Sequence, residues 1–182
     1  MKKAINCFIP YDNEQSLQRT ITSLQQSERV ARIYLLATNS EKEEIAGCPV
    51  IQIDTPNSTE TFRQIAQQAD TPYTLLYVKT SPLELGYRAL ERMTDYLIEG
   101  ETTLVYSDYY EWKGGELIPH PVIDYQLGSV RDDFDFGSVL LFDSNTLKEG
   151  VLALNEQENY QYAALYALRL FASHQGSIRH IN

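Results

Sequence analysis

Four short apolar runs recur within residues 4–78, and a helix-like spacing of apolar side chains follows three of them. Ala4-Ile5-Asn6-Cys7-Phe8-Ile9 reads as a buried strand closed by Pro10, and residues 14–27 then place Leu17, Ile21 and Leu24 on one helical face. Residues 31–37 form a second strand ended by Thr38-Asn39-Ser40, and Val50-Ile51-Gln52-Ile53 a third ended by Asp54 and Pro56. Ser58 or Thr59 is placed to cap a helix running to about Ala69, with Phe62, Ile65, Ala66 and Ala69 inward. Tyr73 to Val78 is a fourth strand, and Pro82 suits the first turn of a helix striped by Leu83, Tyr87, Leu90, Met93 and Leu97 up to Gly100. Strands alternating with helices of this length need crossover connections, which predicts a largely parallel sheet with helices on its faces.

The pattern changes after residue 100. Thr102 to Tyr106 is a fifth strand, and residues 109–112 and 116–118 flank Lys113-Gly114-Gly115 as a hairpin. From Pro119 to Gly137 there is little periodicity, and long irregular segments inside compact domains are commonly functional. Ser138 to Phe142 returns to strand, residues 159–172 read as a helix, and Ile178 to Ile181 as a short closing strand. At 182 residues the expectation is one α/β domain, 1–182, with a mostly parallel sheet in its first half and mixed strands in its second.

Charge narrows the partners. Lys and Arg total 15 against 25 Asp and Glu, a net charge of −10, which repels nucleic-acid backbones and anionic lipid surfaces. A nucleotide is still admissible, because one diphosphate needs only a local cation, a helix N-terminus or a metal. Cys7, one of only two cysteines, lies in an apolar run, which suits a reducing compartment. The N-terminal apolar run is too short for a signal-peptide core, and no stretch reaches the roughly 18 apolar residues of a membrane span, so the expected location is cytoplasmic.

The opening Ile5 to Glu14, with Pro10, Tyr11 and Asn13 after the first strand and Leu17, Ile21 and Leu24 beyond, resembles the start of family 2 glycosyltransferases of the GT-A fold. Tyr73 to Val78 followed by Pro82 is similar to that family's central strand. Tyr106-Ser107-Asp108, Phe134 to Ser138, Tyr166 to Leu170 and Ile178 to Ile181 resemble its later elements. The resemblance spans nearly the whole chain. It implies a nucleotide-binding half, 1–100, and an acceptor-side half, 101–182, with Pro10, Tyr11, Asn13, Thr38 and Asn39 bordering the nucleotide. It also marks departures. Where the family carries acids after its second strand, this chain has Ala37-Thr38-Asn39-Ser40. Its Asp-x-Asp, which holds Mg²⁺ or Mn²⁺, is replaced by Val78-Lys79-Thr80. Its catalytic Asp, a few residues before an Arg, corresponds upstream of Arg169 to Ala163, which takes no proton.

The remaining chemistry-bearing residues each admit two readings. Lys79 could meet a diphosphate in place of a metal, or be a solvated strand-end lysine. Asp132, Asp133 and Asp135 could ligate a cation or act as a base, or form a solvated acidic loop. Asp108 faces a cleft or caps a turn. His120 has no paired Cys or His to make a metal site, and neither a Gly-x-Ser-x-Gly elbow nor a Walker loop occurs. The expected function is nucleotide-sugar-dependent, hexosyl-type glycosyl transfer to a glycan or lipid-linked hydroxyl, by this chain alone or as the N-terminal domain of a longer protein. The candidate catalytic residues are Asp133, Asp135 and Asp108, the candidate nucleotide contacts include Lys79, and no metal ligand is assigned. Its rivals are a non-catalytic nucleotide- or glycan-binding module and an unrelated doubly wound domain.

Overall fold

The computed structural model describes residues 3–12, 14–128, 131, 134–157 and 159–182. Its strands are β1 (Ile5–Pro10), β2 (Val30–Ala37), β3 (Glu44–Ile45), β4 (Cys48–Gln52), β5 (Tyr73–Tyr77), β6 (Thr102–Ser107), β7 (Tyr109–Lys113), β8 (Glu116–His120), β9 (Val139–Asp143) and β10 (Ser177–Ile181). The helices are α1 (Glu14–Gln25), α2 (Thr59–Gln68), α3 (Ala89–Ile98), α4 (Ser144–Gln157) and α5 (Ala164–Gln175). Among the described residues, no helix is long and apolar enough to cross a membrane.

Eight strands form one sheet in the order β10-β6-β9-β5-β1-β2-β4-β3. β1 pairs parallel with β2 and β5, β2 with β4, and β6 with β10. β9 is inserted antiparallel between β5 and β6, with Leu141 opposite both Leu75 and Val105. The strand alternation divides the core. Ile5, Cys7 and Ile9 face α1 and α3 through Leu17, Ile21, Leu24, Leu90, Met93 and Leu97. Phe8, Leu76, Leu140 and Phe142 face α2, α4 and α5 through Phe62, Ile65, Leu147, Val151, Leu165 and Leu168. Because β1 is central, both of its faces are covered, which is why it reads as a continuous apolar run. Its single polar side chain, Asn6, is 1 % exposed and donates to Gln68 O (2.9 Å) and Asp70 Oδ1 (2.6 Å), tying the strand to the end of α2. Cys7 and Cys48 are buried and unbridged.

The helix expected from Pro82 begins only at Ala89. Before it, Leu83 N–H donates to Thr20 Oγ1 (2.9 Å) and Leu85 N–H to Ser23 Oγ (2.7 Å), so side chains of α1 take amides that a helical turn would leave to water. Leu83 is buried as its spacing implied, but Tyr87 is 91 % exposed. The helix expected over 159–172 is also displaced, to Ala164, and α4 precedes it unannounced. Gly150 obscures α4 in the sequence by lowering helix propensity. In the fold that glycine lets α4 meet α5, since a Cβ there would come 2.8 Å from Leu168 Cδ2. Asp143 Oδ1 caps α4 by accepting from Thr146 N–H (2.8 Å). Residues 159–163 dock on the start of α2 instead of coiling. Thr59 N–H donates to Tyr160 O, Ala164 N–H to Asn57 O, Tyr160 N–H to Thr59 Oγ1 and Thr55 Oγ1 to Gln161 O.

The hairpin β7–β8 stands outside the large sheet. Trp112 faces Leu117 and Tyr110 faces Pro119 across it, and Tyr110, Trp112 and Leu117 are more than half exposed.

Gly137 closes the irregular segment with φ of +69°, and a Cβ there would stand 2.5 Å from Ser107 O. Gly137→Ala should therefore cost about 2 kcal/mol, read as a lowered denaturant midpoint with an unchanged slope.

Candidate functional site

The chain passes from β1 to β2 with α1 on one face, then returns from β4 past β1 to β5 with α2 on the other. Strand order thus reverses between β1 and β5, and open α/β sheets form their ligand crevice at such a point, outside the carboxyl ends of the strands. A cavity of about 280 Å³ lies there. Phe8 and Pro10 of β1, Leu36 of β2 and Leu76 to Val78 of β5 form its floor. Pro56, Asn57, Phe62 and Ile65 at the start of α2 and Leu165 and Arg169 of α5 form its walls. The hydrogen bonds between residues 159–164 and the start of α2 hold those two walls together.

The lining is apolar apart from Asn57, the Tyr77 backbone region and Arg169. Arg169 stacks its guanidinium 4.9 Å from the Phe136 ring centroid, and its Nε is buried with no hydrogen-bond partner. Burial lowers its pKa to about 10, partly offset by the field of Asp135. Arg169 is half-buried, so a guanidinium partly withdrawn from water gains from an anionic partner.

The residues expected from the sequence divide between the two sheet faces. Pro10 lines the cavity. Tyr11 packs half-buried against the α1 side of the core, its N–H donating to Leu36 O (2.8 Å). Thr38 and Asn39 follow β2 as exposed residues and do not line the cavity. Lys79 lines a separate cleft with Pro10, Thr20, Tyr77 and Ser81, which encloses about 10 Å³, room for a water molecule. Its Nζ lies 4.0 Å over the Tyr109 ring, which stacks on His120 (4.9 Å, 6°), and His120 Nε2 is 3.3 Å from Glu111. Asp135 is exposed, with Oδ1 accepting from Gly137 N–H (2.7 Å). Asn13, Asp132 and Asp133 lie outside the described residues.

Asp108 anchors a cluster that sequence reasoning did not assemble. Its Oδ1 accepts from Val122 N–H (2.8 Å) and meets His180 Nε2 at 2.8 Å, while His180 Nδ1 meets Asp124 Oδ1 at 2.8 Å. The His180 ring stacks on Tyr106 (5.1 Å, 23°), and Tyr106 donates its hydroxyl to Ile123 O (2.6 Å). Carboxylates only accept, so both ring nitrogens donate to them only when the ring carries both protons. The signal was present in β10, where Ile178 and His180 share the inward face by strict alternation. A lone terminal histidine carries no weight until β10 is known to lie beside β6, placing His180 opposite Tyr106.

A GT-A metal does not suit these residues. Val78, Lys79 and Thr80 supply no carboxylate, and among the described residues no Asp or Glu lines the cavity and no group of His, Cys, Asp and Glu is placed to hold a metal ion.

By sequence, no protein-family model and no curated protein matches this chain. By structure, it is similar to 4-diphosphocytidyl-2C-methyl-D-erythritol synthase from Anaerococcus prevotii, with TM-score 0.65 and 9 % identity over 98 % of this chain and 88 % of that one. It is also similar to glucosyl-3-phosphoglycerate synthase from Mycobacterium tuberculosis in complex with uridine diphosphate (TM-score 0.55, 12 % identity, 99 % of this chain and 70 % of that one). The fold is GT-A-like. A third similar structure is 2-C-methyl-D-erythritol 4-phosphate cytidylyltransferase from Thermus thermophilus (TM-score 0.63, 10 % identity, 98 % and 88 % coverage). At these identities the likeness concerns the fold, whose mixed α/β sheet and separate hairpin agree with the expected architecture.

Burial, with Asp124 and Asp108 adding to it against the hydrogen bond to backbone, pushes the Tyr106 phenol up to about 12. The neutral ring is the form the fold favours, so its contribution is intact below the ordinary value of 10.0 and is lost as pH rises through about 12. Tyrosinate absorbance of the native protein should include a late-ionising component near pH 12 that is lost in Tyr106→Phe.

Proposed function

We propose that the chain binds a nucleotide diphosphate sugar in the 280 Å³ cavity and transfers the sugar to a hydroxyl of a glycan or lipid-linked acceptor. The observation that carries this reading is a mostly apolar cavity at the strand-order reversal with Arg169 in its lining, a combination that suits a flat, half-polar ligand with a charged end. Its volume lies just below the about 300–1,000 Å³ typical of small-molecule sites, enough for a base and its ribose. Pro10 and Leu36 would meet the base, while Tyr11, Thr38 and Asn39 follow the same strand ends outside the cavity lining. Residues 1–100, together with Leu165 and Arg169 of α5, would serve the donor, and the rest of 101–182 the acceptor. The uridine diphosphate bound by the mycobacterial synthase and the cytidylyl chemistry named for two of the other similar proteins make uridine and cytidine nucleotides the first donors to test.

Glycosyl transfer needs a base for the acceptor hydroxyl. Asp108 is the favoured group, since His180 and Val122 N–H fix the orientation of its carboxylate at the end of β6. Asp135 is held by Gly137 N–H on an exposed turn and is the second choice. A non-catalytic binding module is the alternative, favoured by Ala163 and by Val78-Lys79-Thr80 at positions where the resembled family has acids.

Calorimetry with UDP, GDP, CTP and their sugars, with and without Mn²⁺, separates the two. Binding with slow donor hydrolysis is the expected result, binding alone supports the module, and no binding to any of them overturns both. Asp108→Asn should lower donor hydrolysis by about 100-fold while leaving nucleotide affinity unchanged.

A further inference from the structure

One cation lines the cavity, and among the described residues no carboxylate forms an ion pair with it. Arg169 lies one helical turn after Leu165 on the wall formed by α5. Phe136 covers one face of its guanidinium at 4.9 Å, and Nε has no acceptor. Asp135 acts on it only through space, its Oδ1 being engaged by Gly137 N–H.

Those facts set what is missing. A ring against the flat face of a guanidinium leaves the N–H edge to donate, and that edge is a planar fork matched to two oxygens of a phosphate or carboxylate. The other described lining residues are Phe, Leu, Ile, Val, Pro, Tyr77 and Asn57, and none of them is a carboxylate that could neutralise the charge. A divalent cation would need several anionic oxygens from the protein and would be repelled by the guanidinium. Val78 shares the cavity with Arg169 and stands where the resembled family has its first metal-binding acid. Lys79 lines the separate small cleft rather than this cavity, and its ammonium rests on Tyr109.

We infer that Arg169 is an anion-binding residue that receives the phosphate oxygens of the ligand directly, replacing the divalent cation of a GT-A site. The identity of the molecule carrying the phosphate rests on the nucleotide reading above. The anion-binding role of Arg169 does not.

The test titrates wild type, Arg169→Gln and Arg169→Lys with UDP, uridine and inorganic pyrophosphate in EDTA. Wild type should bind UDP and pyrophosphate without a divalent cation, and more weakly as salt rises. Arg169→Gln should weaken both by at least about tenfold with uridine unaffected, and Arg169→Lys should restore part of the loss. Pyrophosphate binding that depends on Arg169 without any UDP binding would keep this role and remove the nucleotide reading. UDP binding that is unchanged in Arg169→Gln, or that requires Mn²⁺, would overturn the role and leave the nucleotide reading standing. Failure of wild type to bind any of the three overturns both. If Arg169→Gln does not fold, the wild-type EDTA and salt dependence together with Arg169→Lys decide the matter.

Discussion

Everything in this molecule is arranged around the coverage of β1. Ile5, Cys7, Phe8 and Ile9 are at most 1 % exposed, which requires helices on both faces and a paired strand on each edge. Burying those four side chains stabilises the fold by several kcal/mol, at about 1.5–3 kcal/mol for each large apolar residue. The double coverage also sends the two crossovers to opposite faces, and the crevice follows from that. The cavity is a by-product of how the central strand is covered, with Phe8 and Pro10 serving as its floor.

The polar links are placed to hold this arrangement in register. Asn6 spends both of its amide protons on the end of α2, so a group that would be costly in an apolar core becomes a strap between sheet and helix. At the other end of that helix, Ser58 Oγ accepts from Thr61 N–H (3.1 Å), and the neighbouring residues bind the segment before α5. A helix fixed at both termini gives the cavity one rigid wall. Across the sheet, Asp108, His180 and Asp124 perform a similar task for the irregular segment, joining Val122 to the ends of β6 and β10.

Strands β1, β2, β4 and β5 were legible as short apolar runs, the two-residue β3 was not, and α1 and α2 were legible because Leu17, Ile21 and Leu24, or Phe62 and Ile65, recur with helical spacing. Leu83 misled because a buried residue in an extended segment and one in a helix look alike when Leu90 and Leu97 happen to continue the spacing. What corrected it was tertiary, the two hydroxyls of α1 capturing the Leu83 and Leu85 amides. Helix α4 was hidden by Gly150, whose use appears only when α5 is seen against it. The candidate site was legible only as a location. Pro10 lies at a strand end that lines the cavity, but Arg169 lies more than 150 residues away and reaches the same cavity through the packing of α5 on β6 and on α2. No local pattern encodes such a meeting.

The four hydrogen bonds that join residues 55–59 to 160–164 have a further consequence for any molecule that enters between α2 and α5. They make the two walls one body, so admitting a ligand by spreading them would mean breaking several bonds at once. The opening is therefore set before an encounter, and what it presents is its shape and the charge of Arg169. A guest that fits loses little free energy to reorganising its host, while one slightly too large finds no compliant side to push against.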